Sequence, residues 1–468
     1  MSRPPGKGNR GSTGPRRRPE TSRPPVVDAA RQVAIDLLAA VRERGAYANL
    51  ALPELMREAG ISGRDAALAT ELSYGSCRAL GQLDAVIGAC GDRALGELDG
   101  PVLDALRLGA YQLLRTRIPS HAAVSATVDL VRAGRNPGAA GYVNAVLRTI
   151  SRADLASWIE RLAPDRSTDL IGHLSMATSH PRWIVSAISD ALGSDADQLE
   201  AALQADDVPP AVHLVARPGR ISRDDLAADS ETDPARFSPV GVYLRSGDPG
   251  AIAAVADGRA AVQDEGSQLV ALALTNAEIS GSDTRWLDLA AGPGGKAGLL
   301  GALAAQRGAT VDAVEVSEHR ARLVRRTTSG LPVTVHLADG RDPGLPAGSV
   351  DRVLLDAPCT GLGALRRRPD ARWRRDQSDV GDLVRLQREL LASAGRLVRP
   401  GGLVGYVTCS PHLAETVGIV GRRPDDLELV DARPYLPGVP DLGEGPTVQL
   451  WPHRHGTDAM FLALLRRR

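Results

Sequence analysis

Three kinds of hydrophobic pattern follow one another along the chain. From Asp28 to about Arg152 apolar residues recur at helical spacing. One stripe is Val33, Ala34, Leu37, Leu38 and Val41, a second Leu103, Leu106, Ala110, Leu113 and Leu114, and a third Val143, Val146, Leu147 and Ile150. Each stripe lies on one face of a 3.6-residue period, and strand-like alternation is absent, so residues 26–152 are expected to form an all-α domain with Asp28 as a helix cap. Between 153 and 257 the pattern mixes. Helical spacing over 183–192 and 196–204 gives way to short extended runs, Ala211–Val215 and Val240–Leu244, which predicts a small α/β connector. From 258 to 468 apolar runs at 284–289, 310–316, 332–337, 350–355 and 403–408 alternate with helical stretches. That is the βαβ rhythm of a doubly wound parallel sheet, and the run at 459–465 predicts a closing strand, expected to be antiparallel. Ahead of these domains, residues 1–25 are rich in Pro, Gly, Ser and Arg without any apolar period, the composition of a disordered basic tail.

Composition narrows the class. The chain has 468 residues, enough for two or three domains, and 56 basic residues balance 56 acidic ones. Any nucleic-acid contact must therefore come from local basic patches. The four cysteines Cys77, Cys90, Cys359 and Cys409 contain no CxxC pair, so neither a disulfide framework nor a metal site is expected. No apolar run approaches a membrane span and the N-terminus lacks a signal-peptide stretch, which points to the cytoplasm, with thiols kept reduced. Only two lysines occur, Lys7 and Lys296, and the second stands inside a glycine loop.

That loop, Gly292-Pro293-Gly294-Gly295-Lys296-Ala297, follows the first strand of the parallel sheet, where ligands bind beyond the C-terminal strand ends. It is not a Walker A loop, because no Ser or Thr follows the lysine. It fits a loose GxGxxA pattern shared by NAD and S-adenosylmethionine sites. Glu315 ends the second strand, where an acid accepts hydrogen bonds from ribose hydroxyls. Asp339, after the third strand, can accept from an exocyclic adenine amine, although a plain Asp-Gly turn fits the same residues. The fourth strand ends in Asp356-Ala357-Pro358-Cys359 and the fifth in Thr408-Cys409-Ser410. Two thiols at the ends of neighbouring strands, beside a nucleotide-type loop, suggest methyl transfer to C5 of a cytosine. That carbon becomes nucleophilic only after a thiolate adds to C6. The stretch 366–375 packs six arginines around Trp373. Arg366, Arg367, Arg372 and Trp373 are expected to hold substrate RNA, phosphates on the guanidinium groups and a base on the indole. His453 and His455 lack partners at metal spacing.

Together these motifs resemble the RsmB/Sun (Fmu) family of 16S rRNA cytosine-5 methyltransferases. Arg64-Asp65, Glu71 to Gly75, Leu106 to Leu113 and Val143 to Arg148 resemble NusB-type RNA-binding helices. His180 to Trp183 and Gln263 to Gln268 continue the likeness into the connector and the catalytic domain. The resemblance implies a Rossmann-like class I methyltransferase domain and S-adenosylmethionine as cofactor, contacted by Ala290, Ala291, Gly292, Pro293, Gly294, Gly295, Lys296, Glu315, Asp339 and Asp356. It makes Cys409 the nucleophile, gives Cys359 a part in releasing the product, and lets Asp356 reach the cytosine edge. The implied partner is 16S rRNA before full subunit assembly. The chain departs from the family pattern at Glu315, usually Asp, at Gly292, often Ala, and in Ala211–Arg217, which lacks the usual Arg-x-Asn. Competing readings are a cytosine-5 methyltransferase of tRNA, another RNA or DNA, an NAD-dependent oxidoreductase, and a non-catalytic RNA-binding assembly factor.

Overall fold

In the computed structural model, residues 27–228 and 230–468 are described, together with Met1. The tail expected over residues 1–25 lies, Met1 aside, outside the described residues. Helices run from Ala29–Arg44 to Ala140–Ile150 and enclose one apolar core that includes Leu37, Leu72, Leu83, Leu106 and Leu147. Asp28 caps the first helix as expected, its Oδ1 accepting from the Arg31 amide at 2.8 Å. Trp158, on the short helix Leu155–Leu162, packs into the same core and fastens the start of the connector to it.

The connector contains the helices Arg182–Ala191 and Ala196–Ala205 and a four-stranded antiparallel sheet. Its strands are β1 (Val212–Ala216), β2 (Thr232–Pro234), β3 (Gly241–Leu244) and β4 (Ala260–Val262), in the order β2-β3-β1-β4. The last strand extends this sheet past the boundary expected at 257, because Ala260 and Val262 pair with Ala216 and Leu214.

The second sheet has eight strands. β5 (Arg285–Asp288), β6 (Thr310–Glu315), β7 (Val333–Leu337), β8 (Val350–Asp356) and β9 (Val398–Thr408) are parallel. β12 (Phe461–Arg467) runs antiparallel to β9, β10 (Leu427–Val430) pairs antiparallel with β12, and β11 (Val448–Gln449) also pairs with β12. The order β10-β12-β9-β8-β5-β6-β7 places the reversal of direction at β5, so the crevice between the ends of β5 and β8 is the topological switch point. Apolar clusters cover both faces. Trp286, Leu300 and Leu462 belong to one, Leu287, Leu355 and Tyr406 to the other. Both faces being covered explains why the central strands read as continuous apolar runs. β10 was not expected, since the four residues Leu-Glu-Leu-Val are too short a run to stand out as a strand.

No described helix is long and apolar enough to cross a membrane.

Candidate active site

The register of β8 against β9 brings the thiols together. Asp356 lies opposite Val407, and the Ala357 amide donates to the Val407 carbonyl at 2.8 Å. Two residues past Val407, just beyond the end of β9, and three past Asp356 in the loop after β8, Cys409 and Cys359 meet with their sulfurs 3.5 Å apart. Both are half-buried and open onto a cleft of 670 Å³ across the strand ends. The same cleft is lined by Ala290, Gly292, Glu315, Asp339 and Asp356. Sheet order spreads them along it, with Glu315 and Asp339 after β6 and β7 at one side and the thiols after β8 and β9 at the other.

Each side chain is held by its neighbours. Lys296, in the first turn of the helix Gly295–Gln306, donates from Nζ to Asp356 Oδ2 at 2.8 Å, bridging the switch point. Burial alone would lower the lysine, but the facing Asp356 carboxylate more than offsets this and holds it above its ordinary range. Glu315 accepts from the Gly292 amide at 3.1 Å and the Ser317 amide at 2.8 Å, and pairs with Arg320 at 2.7 Å. A Cβ at position 292 would come within 2.1 Å of Glu315 Oε2, so only glycine lets loop and acid approach this closely. Gly294 takes φ +111°, a region side-chain-bearing residues avoid, and turns the chain into the helix. Pro293, Gly294 and Gly295 make this turn without lining the cleft, and Ala291 is buried beneath it. Asp339 is engaged by Arg341 at 2.6 Å and stays partly exposed.

The thiols are electrically unequal. The hydrogen bond from Cys359 lowers Cys409 most. Burial and Asp356 oppose it, Arg368 and Lys296 add to it, and the net position is below the ordinary thiol range. Cys359 is pushed well above that range, first by the same hydrogen bond and then by burial. The arrangement is a thiol donating to a developing thiolate, with Cys409 as the better nucleophile.

Three features were not singled out from the sequence. Glu415 is fully buried and accepts from the Thr360 amide at 2.9 Å, the Thr360 hydroxyl at 2.5 Å and Gln387 at 3.1 Å. Thr360 Oγ1 also lies 3.0 Å from Ser410 Oγ, which ties the two cysteine loops to each other. Asp288, at the end of β5, is fully buried with neither oxygen hydrogen-bonded, and burial followed by the nearby Asp356 charge raises it to about 7. Tyr47, from the helical domain, lines the cleft mouth. Glu415 carries a weak local signal, six residues after Cys409. Tyr47 carries none.

The arginine stretch is a correction. Arg366 and Arg367 turn inward, pairing with Asp264 at 3.3 and 2.7 Å and with Asp458 at 3.1 and 3.0 Å. Arg372 is fully buried, donating to Thr178, Ser179 and Asp206 carbonyls and pairing with Asp207 at 3.0 Å. Trp373 packs on Gly81 of the helical domain, where an added Cβ would sit 2.2 Å from its ring. Arg366 and Arg372 are buried, and Arg367 and Trp373 are half-buried, so ion pairs and domain packing engage the four residues that were expected to hold RNA. Their acidic and carbonyl partners lie far away in sequence, so the run reads as a basic patch until the fold is known. Arg368 and Arg375 remain exposed at the cleft. His455 is likewise structural, Nδ1 accepting from the Trp451 amide at 2.8 Å.

Residues 271–466 match the family described as 16S rRNA methyltransferase RsmB/F, and residues 28–152 match the NusB family. Putative methyltransferase Rv1407 of Mycobacterium tuberculosis is 57% identical over 97% of this chain and 99% of its own length. Ribosomal RNA small subunit methyltransferase B of Klebsiella pneumoniae is 32% identical over 94% of this chain and 98% of its own. The crystal structure of PH0851 shares the fold, with a TM-score of 0.77 at 23% identity, over 94% of this chain and 99% of that one. With both domains matched, and full-length relatives above 30% identity, the chain belongs to the RsmB/F family of 16S rRNA methyltransferases.

Proposed function

We propose that this enzyme methylates C5 of a cytosine in 16S rRNA, using S-adenosylmethionine and a covalent adduct between Cys409 and C6 of the base. The observation that carries the reading is the pair of unequal thiols 3.5 Å apart in the cleft that also holds Glu315, Asp339 and Asp356. A methyltransferase acting on an exocyclic amine or an oxygen has no use for two thiols, whereas C5 must be activated by one.

The cleft suits the cofactor. Glu315 and Asp339 offer carboxylate oxygens at neighbouring strand ends for ribose hydroxyls and the adenine amine, and the glycine turn brings backbone close to them. S-adenosylmethionine supplies an electrophilic methyl group there. The chain's own residues do the rest. Cys409, as thiolate, forms a bond to C6, and the C5=C6 electron pair moves into the ring so that C5 acts as an enamine carbon. Asp356, fixed by Lys296, accepts from the cytosine N4 amine and orients the ring. Once C5 carries the methyl group, a base removes its proton, the C5=C6 bond reforms and Cys409 departs as thiolate. Cys359, whose sulfur lies 3.5 Å from that of Cys409, assists that departure.

Unassembled 16S rRNA is the proposed partner, with the NusB-like helices contributing to docking. Bisulfite sequencing of rRNA from cells with and without the gene tests the reading. One protected 16S cytosine should lose protection when the gene is removed. An unchanged 16S pattern contradicts the proposal, and a loss confined to tRNA transfers the activity to another RNA.

A further inference from the structure

The helical domain does more than flank the catalytic domain, because it supplies part of the cleft wall. Tyr47 is the residue before the helix Ala48–Glu58, and it lines the same cleft as Asp356, Cys359 and Cys409. Tyr47 is 53% exposed, so a face of its ring is open to the cleft. The segment is rigidly placed. Arg374 donates to the Gly45 carbonyl at 2.8 Å and also to the Ala46 carbonyl, while Asp370, itself buried, accepts from the Ala48 amide at 3.2 Å and pairs with Arg374. The Arg374 guanidinium lies 4.6 Å from the Tyr47 ring centroid, covering one part of the ring and leaving the rest open. The same cleft carries the exposed Arg368 and Arg375, while Arg320 and Arg341, half-exposed, pair with Glu315 and Asp339.

An exposed aromatic ring backed by a guanidinium, in a cleft that also carries the exposed arginines Arg368 and Arg375, has the chemistry of a single-stranded nucleic-acid platform. Bases stack on the ring and phosphates meet the arginines. We infer that Tyr47 stacks against a nucleobase of the RNA substrate next to the cytosine that enters the cleft, with Arg368 and Arg375 on the flanking phosphates. This rests on the proposed function for the identity of the reaction. The stacking itself requires only that the ligand is RNA. The helical domain thereby helps to orient the target as well as to bind RNA at a distance. Sealing of the arginine stretch into the domain interfaces fits the same division of labour. Arg374 and Asp370 fix the Tyr47 segment to the loop after Cys359. Arg366, Arg367 and Arg372 anchor that loop to Asp264, Asp458 and Asp207, and the exposed Arg368 and Arg375 face the substrate.

The test uses the full-length enzyme with Tyr47→Ala, Tyr47→Phe and, as a control outside the cleft, Leu50→Ala. Three quantities are measured: kcat/KM for a 16S rRNA transcript, equilibrium binding of that transcript without cofactor, and S-adenosylmethionine binding by calorimetry. Losing one base–aromatic stack should weaken RNA binding and lower kcat/KM by roughly 5- to 150-fold in Tyr47→Ala. Tyr47→Phe keeps the ring and should keep wild-type values. Cofactor binding should be unchanged in every variant, which also shows that each is folded. The inference is overturned if Tyr47→Ala binds the transcript as tightly as wild type, or if Tyr47→Phe loses as much as Tyr47→Ala. Because RNA binding needs no methyl transfer, this result stands apart from the bisulfite experiment. A wild-type enzyme that modifies no rRNA cytosine counts against the proposed function alone.

Discussion

Replacing Glu415 by alanine should disable the site without touching a reacting atom. Its carboxylate takes three hydrogen bonds in a fully buried position, two from Thr360 and one from Gln387. In Glu415→Ala the Gln387 amide keeps the Pro358 carbonyl at 2.9 Å, and the Thr360 hydroxyl keeps Ser410. The Thr360 amide, directly after Cys359, keeps nothing. One orphaned buried N–H costs about 1–3 kcal/mol, and the lost charge-assisted bonds bring the total to about 3–5 kcal/mol. The loop should relieve that cost by moving, which shifts the Cys359 sulfur away from Cys409. A displacement of about 1 Å at a reacting centre costs roughly 10²-fold in rate. Unfolding of a multidomain chain is a poor gauge, so the assays are single-turnover methylation and amide exchange of the 357–363 segment. Glu415→Gln, which retains one carbonyl oxygen for the Thr360 amide, should fall between wild type and alanine. Full methylation rate with unchanged exchange in Glu415→Ala would refute the reasoning.

Two further outcomes depend on titration. The methylation rate should rise with pH and level off below the ordinary thiol range, because Cys359 and, more weakly, Arg368 and Lys296 favour the Cys409 thiolate. In Cys359→Ala the donor is gone and the rise should move to higher pH, as a series of pH–rate profiles would reveal. Asp288 behaves in the opposite sense. Its folded-state pKa of about 7 exceeds the unfolded carboxylate value near ~3.9, so its ionisation destabilises the fold progressively as pH rises between them. Asp288→Asn removes this penalty, and thermal melts should show a larger gain at pH ~8 than at pH ~5.

Much of the fold is legible in the sequence because the central strands are buried on both faces and stand out as apolar runs. Motifs at their C-terminal ends then had to converge on one cleft. The pairing of Cys359 with Cys409 follows from β8 and β9 being neighbours. The arginine stretch could not be read correctly, since its fate depends on Asp264 and Asp458, roughly a hundred residues away on either side, and on Gly81, which makes room for Trp373. A charge run on a surface and one buried between domains have the same local sequence. β10 is only four residues long, too short for its alternation to mark a strand. Tyr47 sits more than three hundred residues from Cys409, and only tertiary packing of the helical domain on the loop 366–375 brings it to the cleft. The buried carboxylates Asp288 and Glu415 look like ordinary acids until their burial is known.

The central claim, a covalent route through Cys409 with Cys359 serving release, is tested most directly on a denaturing gel. Wild type, Cys409→Ala and Cys359→Ala are incubated with 16S rRNA and S-adenosylmethionine at alkaline pH, where Cys409 is ionised with or without its neighbour. Cys359→Ala should accumulate a protein–RNA adduct, because Cys409 still attacks C6 but leaves slowly, and Cys409→Ala should give none. An adduct with Cys409→Ala and none with Cys359→Ala would contradict the account and reverse the roles of the two thiols.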